Sequence, residues 1–122
     1  MKNLDEMREI MRNKQLASLG DAYVNFIYSL ALTRLGGNPR GIKVSDKILA
    51  DALKQAGLRD HLGTRITKKE LANASESLLV EAYLRDVLTI QESIRILAQH
   101  PEGLLAGLSE LLKIAATRVC QR

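Results

Sequence analysis

Asp21, Asn73 and Glu76 are the residues of this chain whose types and settings best suit chemistry. Asp21 follows Gly20 within Leu16 to Ser29, a largely apolar run, and a charge there is costly to bury unless something pairs with it or binds it. Asn73 and Glu76 stand three apart, on one face of any helix, and Ala72, Ala74 and Ser75 beside them are small enough to admit another backbone or a ligand. Where the helix bearing Asp21 packs beside the helix bearing Asn73 and Glu76, three oxygen donors converge. Such a set suits a hard divalent cation such as Mg²⁺, which takes oxygen ligands and keeps several of its waters. Glu81, five positions beyond Glu76, points elsewhere.

Other chemistries find little support. The sequence has no Gly-rich phosphate loop, no nucleophile elbow and no His/Cys metal cluster. His61 and His100 fall at helix boundaries and read as capping or surface residues. The single cysteine, Cys120, excludes a disulfide within the chain. No uninterrupted apolar run is long enough to span a bilayer and no leader pattern is evident, so no membrane partner and a cytoplasmic setting are expected.

Helices must position these residues. Leu, Ala, Lys and Glu abound, while Tyr23, Phe26, Tyr28 and Tyr83 are the whole aromatic complement, so helix is favoured over strand. Apolar spacing predicts a short helix over residues 3–13, carrying Leu4, Met7, Ile10 and Met11, and a long one from about 15 to 35. The long helix has a stripe of Leu16, Leu19, Tyr23, Phe26, Ile27, Leu30, Ala31 and Leu35, with Ala22, Val24 and Leu32 around the back. Gly36-Gly37-Asn38-Pro39 ends it. Ser45 caps a third helix that closes near Gly57, and one turn is expected around 60–62. Thr67 with Glu70, and Thr89 with Glu92, have capping-box spacing and start helices over 68–86 and 90–99. Pro101 suits the first turn of a last helix reaching about Val119. The expectation is one compact all-α domain over 1–122, with five to six helices.

The net charge of +4 is unevenly placed: between Arg34 and Lys69 nine basic residues face three acidic ones. A basic region of this kind can meet phosphate.

Three blocks, in order, resemble the ribonuclease III family. Leu16-Ala17-Ser18-Leu19-Gly20-Asp21-Ala22 is similar to its signature helix, E-x-L-E-F-L-G-D-A. Lys43 to Ala50 resembles L-V-S-N-x-x-L-A, with Ala56-Gly57-Leu58 after it. Ala72 to Leu84 resembles A-D-x-x-E-A-L-I-G-A-I-Y-L. The resemblance spans about residues 14–98, and the compact size is similar to that of minimal ribonuclease III-like proteins without a double-stranded-RNA-binding domain.

The resemblance implies a compact helical endonuclease domain that works as a homodimer and cuts double-stranded or structured RNA with Mg²⁺. Carried over residue by residue, Asp21 and Glu76 are the catalytic acids, and Asp21, Asn73 and Glu76 the metal ligands. Two of the family's four acids are absent, with Ala17 and Asn73 in their places, and Lys14 stands where the signature has an earlier Glu. Arg40, Lys43 and Lys47 are the expected RNA contacts. Gly20, Tyr23, Phe26 and Ile27 are the expected dimer-interface residues. Two readings stay open: a metal-dependent endoribonuclease with a depleted site, and a catalytically degenerate dimer that binds RNA or assembles around it.

Overall fold

Ten of the seventeen residues of one helix are buried, on every side of it, and the other helices pack around that rod. The computed structural model describes residues 2–101 and 103–121, apart from the side chains of residues 2–4. In chain order the helices are α1 (Lys2–Met11), α2 (Lys14–Gly36), α3 (Asp46–Gln55), α4 (Lys68–Leu84), α5 (Ile90–Ala98) and α6 (Leu104–Cys120), with one 3₁₀ turn at Arg59–Leu62. The result is all-α, with no strand among the described residues.

The central rod is α4. Thr67 and Glu70 start it with a reciprocal capping box, and Thr89 and Glu92 do the same for α5. Leu78 and Leu79 anchor the core, while Ala72, Ala74, Ser75 and Ser77 keep the rod thin. The buried hydroxyls find backbone acceptors: Ser75 Oγ donates to the Leu49 carbonyl (2.8 Å) and Ser77 Oγ to that of Asn13 (3.1 Å). Helices α2 and α3 form the two largest contacts with α4, α6 and α1 complete its enclosure, and α5 bridges α2 and α6.

The tightest approach lies between α2 and α4. A Cβ at Gly20 would stand 2.1 Å from the Glu76 carbonyl oxygen and 2.9 Å from the Glu76 Cβ. Only glycine lets the two backbones meet there. The backbone that meets α4 at Glu76 is that of α2, while Ser75 beside it reaches α3.

Several boundaries differ from the expected ones. α4 ends at Leu84 rather than at 86, because Asp86 turns left-handed (φ 59°) and the Val87 amide reaches back to the Ala82 carbonyl (3.1 Å). α6 begins at Leu104 with Gly103 as its cap, so Pro101 precedes the helix and lies outside its first turn. The Leu4 side chain and Glu102 lie outside what is described. On α2 the buried face is Ala17, Gly20, Tyr23, Val24, Ile27, Tyr28 and Ala31. Leu19, Phe26 and Leu35, members of the apolar stripe, are exposed, and so is Tyr83 on α4. A helix apolar nearly all round does not reveal which arc faces inward.

Gly20→Ala should therefore cost about 2–3 kcal/mol in urea unfolding, since two backbones must move to admit one methyl. Gly36→Ala, where an added Cβ meets nothing within 4 Å, should stay within about 0.5 kcal/mol of wild type. Equal losses at the two positions would contradict the close approach.

Candidate functional site

The Gly20 contact places Asp21, the next residue of α2, against Glu76 of α4. The two carboxyl groups are hydrogen-bonded to each other. Glu76 is only 4% exposed. Burial, then the hydrogen bond to Asp21 and the negative charges of Asp21 and Asp46, push its pKa from 4.5 to about 8. Asp21 moves the other way. The Glu76 hydrogen bond holds it below the usual carboxylate range, with further help from Lys43 and Asn25, against the opposing effect of burial. At neutral pH the pair thus shares one proton, carried by Glu76 and donated to the ionised Asp21.

A polar row on α2 builds the rim. Asp21, Asn25, Ser29 and Thr33 recur every four residues and hold the descending loop. Thr33 Oγ1 accepts from the Arg40 amide (3.1 Å), Ser29 Oγ from the Ile42 amide (2.9 Å) and Asn25 Oδ1 from the Val44 amide (2.8 Å). Asn25 Nδ2 in turn donates to Asp21 (3.3 Å). The loop, so fixed, carries Lys43 to Asp21, Nζ to Oδ1 3.3 Å. Both side chains are solvent-exposed, so this ion pair orients Asp21 more than it stabilises the fold.

Asp21, Asn73 and Glu76 all line one open cleft of about 610 Å³. Lys14, Lys43, Lys47, Lys68 and Lys69 form its walls, with Asp46, Ser18 and Ser45 among them. Lys47 pairs with Asp51 (3.0 Å) and Lys69 with Asp46 (3.5 Å), while Lys14 and Lys68 have no ion-pair partner among the described residues. The first turns of α2, α3 and α4 all open on this cleft, adding the positive ends of three helix dipoles to five ammonium groups. An anion is favoured at the walls, and the acid pair waits between them.

Of the expected RNA contacts, Lys43 and Lys47 are in the cleft. Arg40 is not: its backbone is pinned to Thr33, at the far end of the polar row. Sequence reasoning left Lys14, Lys68 and Lys69 out of that set. The signal for the last two was available, since they directly follow the cap residue Thr67 and so had to sit at a helix start. Glu81 points away, as expected, and pairs with Arg85 (2.6 Å), which also binds Glu6. His100 is half-buried beside the Glu110 carboxylate. Among the four residues expected at a dimer interface, Gly20 and Ile27 are enclosed in the chain's own packing. Tyr23 is largely so, stacked on Tyr83 and hydrogen-bonded to Ser93. Phe26, 54% exposed, is open.

The donor set can be judged against a divalent cation. Among the described residues, no group of three or more His, Cys, Asp and Glu side chains is placed to hold a metal by itself. Two adjoining carboxylates with the Asn73 amide in the same cleft still match Mg²⁺, which accepts one or two carboxylates and fills the remainder with water and substrate oxygens. The fit is to one loosely held ion.

Ionising Glu76 opposes folding. Its raised pKa contributes stability that is complete below about pH 4.5 and is lost as pH climbs through about 8. Urea unfolding of wild type should lose about 1.4 kcal/mol per pH unit across that window, relative to Glu76→Gln, which retains a donor to Asp21 but cannot ionise. Parallel pH profiles for the two proteins would show that Glu76 titrates normally.

The family model described as ribonuclease III matches residues 14–115, and no curated protein matches the chain. The matched span holds the acid pair, the polar row and all five lysines of the cleft. The chain belongs to the ribonuclease III family.

Proposed function

We propose that this protein binds double-stranded or structured RNA along the lysine-walled cleft and hydrolyses its phosphodiester backbone with one weakly held Mg²⁺. The observation that carries this reading is the direct contact of Asp21 with Glu76 at the base of a basic cleft. The lysines would take backbone phosphates, a mode that suits A-form RNA, whose shape and phosphates are more accessible than its base edges. Asp21, Glu76 and the neutral oxygen of Asn73 would hold the cation, with Mn²⁺ as a substitute. A bound ion there would supply Lewis acidity and a more acidic water. Glu76 would have to give up its proton first, so activity should rise with pH through about 8.

A second reading rests on its own observation. Lys43 already engages Asp21 and Glu76 is neutral at pH 7, so the cleft carries a positive surplus that can hold RNA with no cation. In that case the protein binds RNA, or assembles around it, without cutting. Incubating a structured duplex RNA with Mg²⁺ or Mn²⁺ at pH 7 and pH 9 separates the two. Cutting that is faster at pH 9 and absent in Glu76→Ala supports the enzyme. Binding alone, with cutting gained only in Ala17→Glu/Asn73→Asp, supports the binder. Under either reading, Lys68→Ala/Lys69→Ala should lower the salt dependence of RNA affinity by roughly two counterions. Salt-insensitive affinity would count against both.

We further propose a homodimer through the exposed apolar residues Leu19 and Phe26 of α2 and Tyr83 of α4, whose ring meets that of Tyr23. Sedimentation at micromolar concentration should give a dimer that Phe26→Lys converts to monomer. A monomeric wild type would contradict it.

A further inference from the structure

The cleft does not end at the acid pair. Lys14, Ala17 and Asn73 also line a second, narrower cavity of about 270 Å³. Met11 and Leu62, which are buried, and Ile66 give it an apolar wall, while Asn13 and Glu70, whose carboxylate already accepts from the Thr67 amide (2.9 Å), line the remainder. Arg12 also lines it, with its guanidinium held by a hydrogen bond to the Leu62 carbonyl (3.3 Å). Ala17, which lines both spaces, puts nothing larger than a methyl group between them. Asn73, half-buried at the junction, makes no side-chain hydrogen bond among the described residues.

A cationic space, an unpartnered amide and a small slot with an apolar wall and a guanidinium therefore adjoin. A nucleotide presents the matching chemistries: a phosphate, a flat ring, and hydrogen-bonding groups along that ring's edge. We infer that the side cavity receives the base of an unpaired nucleotide whose phosphate lies among the lysines. The Asn73 amide offers both a donor and an acceptor to the base edge. Arg12 can lie flat against the ring. A base stacked within a duplex cannot enter, so the cavity would select an overhang, bulge or loop. This inference rests on the RNA-binding reading and names the substrate feature that the site prefers.

The test is equilibrium binding in EDTA, which removes any dependence on metal. Two RNAs are compared, a blunt duplex and the same duplex with a one-nucleotide overhang. Wild type should bind the overhang about tenfold more tightly. Ile66→Phe, which narrows the slot and alters no residue of the lysine cleft, should abolish the preference and leave blunt-duplex affinity within about twofold. Ile66→Tyr, whose hydroxyl can reach solvent from the same position, should do the same should the first variant fold poorly. Equal affinity of wild type for the two RNAs, or a preference that survives both variants, would overturn the pocket while leaving RNA binding intact. Failure to bind either RNA would overturn the RNA reading and the pocket with it. Adenosine 5′-monophosphate as competitor distinguishes the source. Displacement only at millimolar concentration assigns the slot to RNA, and displacement at micromolar concentration assigns it to a free nucleotide.

Discussion

The backbone contact between Gly20 and Glu76 is the constraint on which the site depends. Helices whose facing residues carry side chains pack 8–10 Å apart, and at that distance two short acids on neighbouring helices need not touch. Removing one Cβ brings α2 against the Glu76 carbonyl and sets the next residue, Asp21, beside the Glu76 side chain. The penalty of a glycine inside a helix, about 1 kcal/mol against alanine, is offset by packing that no other residue permits. Stability and site geometry are therefore fixed by the same contact.

The charge arrangement follows from that contact. Two carboxyls held together in partial burial cannot both ionise at neutral pH, so one keeps a proton. Around them the polar row of α2 anchors a loop that delivers Lys43, and three helix starts contribute the remaining lysines. A cation-seeking pair is thus set inside an anion-seeking wall. The phosphodiester hydrolysis proposed above would use both, the wall for the polyanion and the acid pair to hold a cation where charge develops.

Much of this was legible in the sequence because the signals were local. Capping boxes at Thr67 and Thr89 marked helix starts to the residue, and the i, i+3 spacing of Asn73 and Glu76 placed them on one face. The arc of α2 that faces inward was not legible. Leu19 and Phe26 are as apolar as Val24 and Ile27, and only tertiary packing decides between them. Gly20 was expected at a dimer interface, but the backbone that meets it, at Glu76 of the same chain, lies fifty-six positions away and leaves no local trace. Arg40 and Lys43 look alike in a basic stretch. The four-residue polar row separates them, and it becomes meaningful only once the loop is seen lying along α2. The second cavity likewise depends on Met11, Leu62 and Ile66 meeting from three separate segments.

The most direct measurement is the carboxyl ¹³C chemical shift of Glu76 followed across pH, without and with Mg²⁺. A pair pressed together by Gly20 should give a midpoint near 8 without metal, moving downward as Mg²⁺ competes for the shared proton. A midpoint near 4.5, indifferent to Mg²⁺, would mean that the two acids do not form one site.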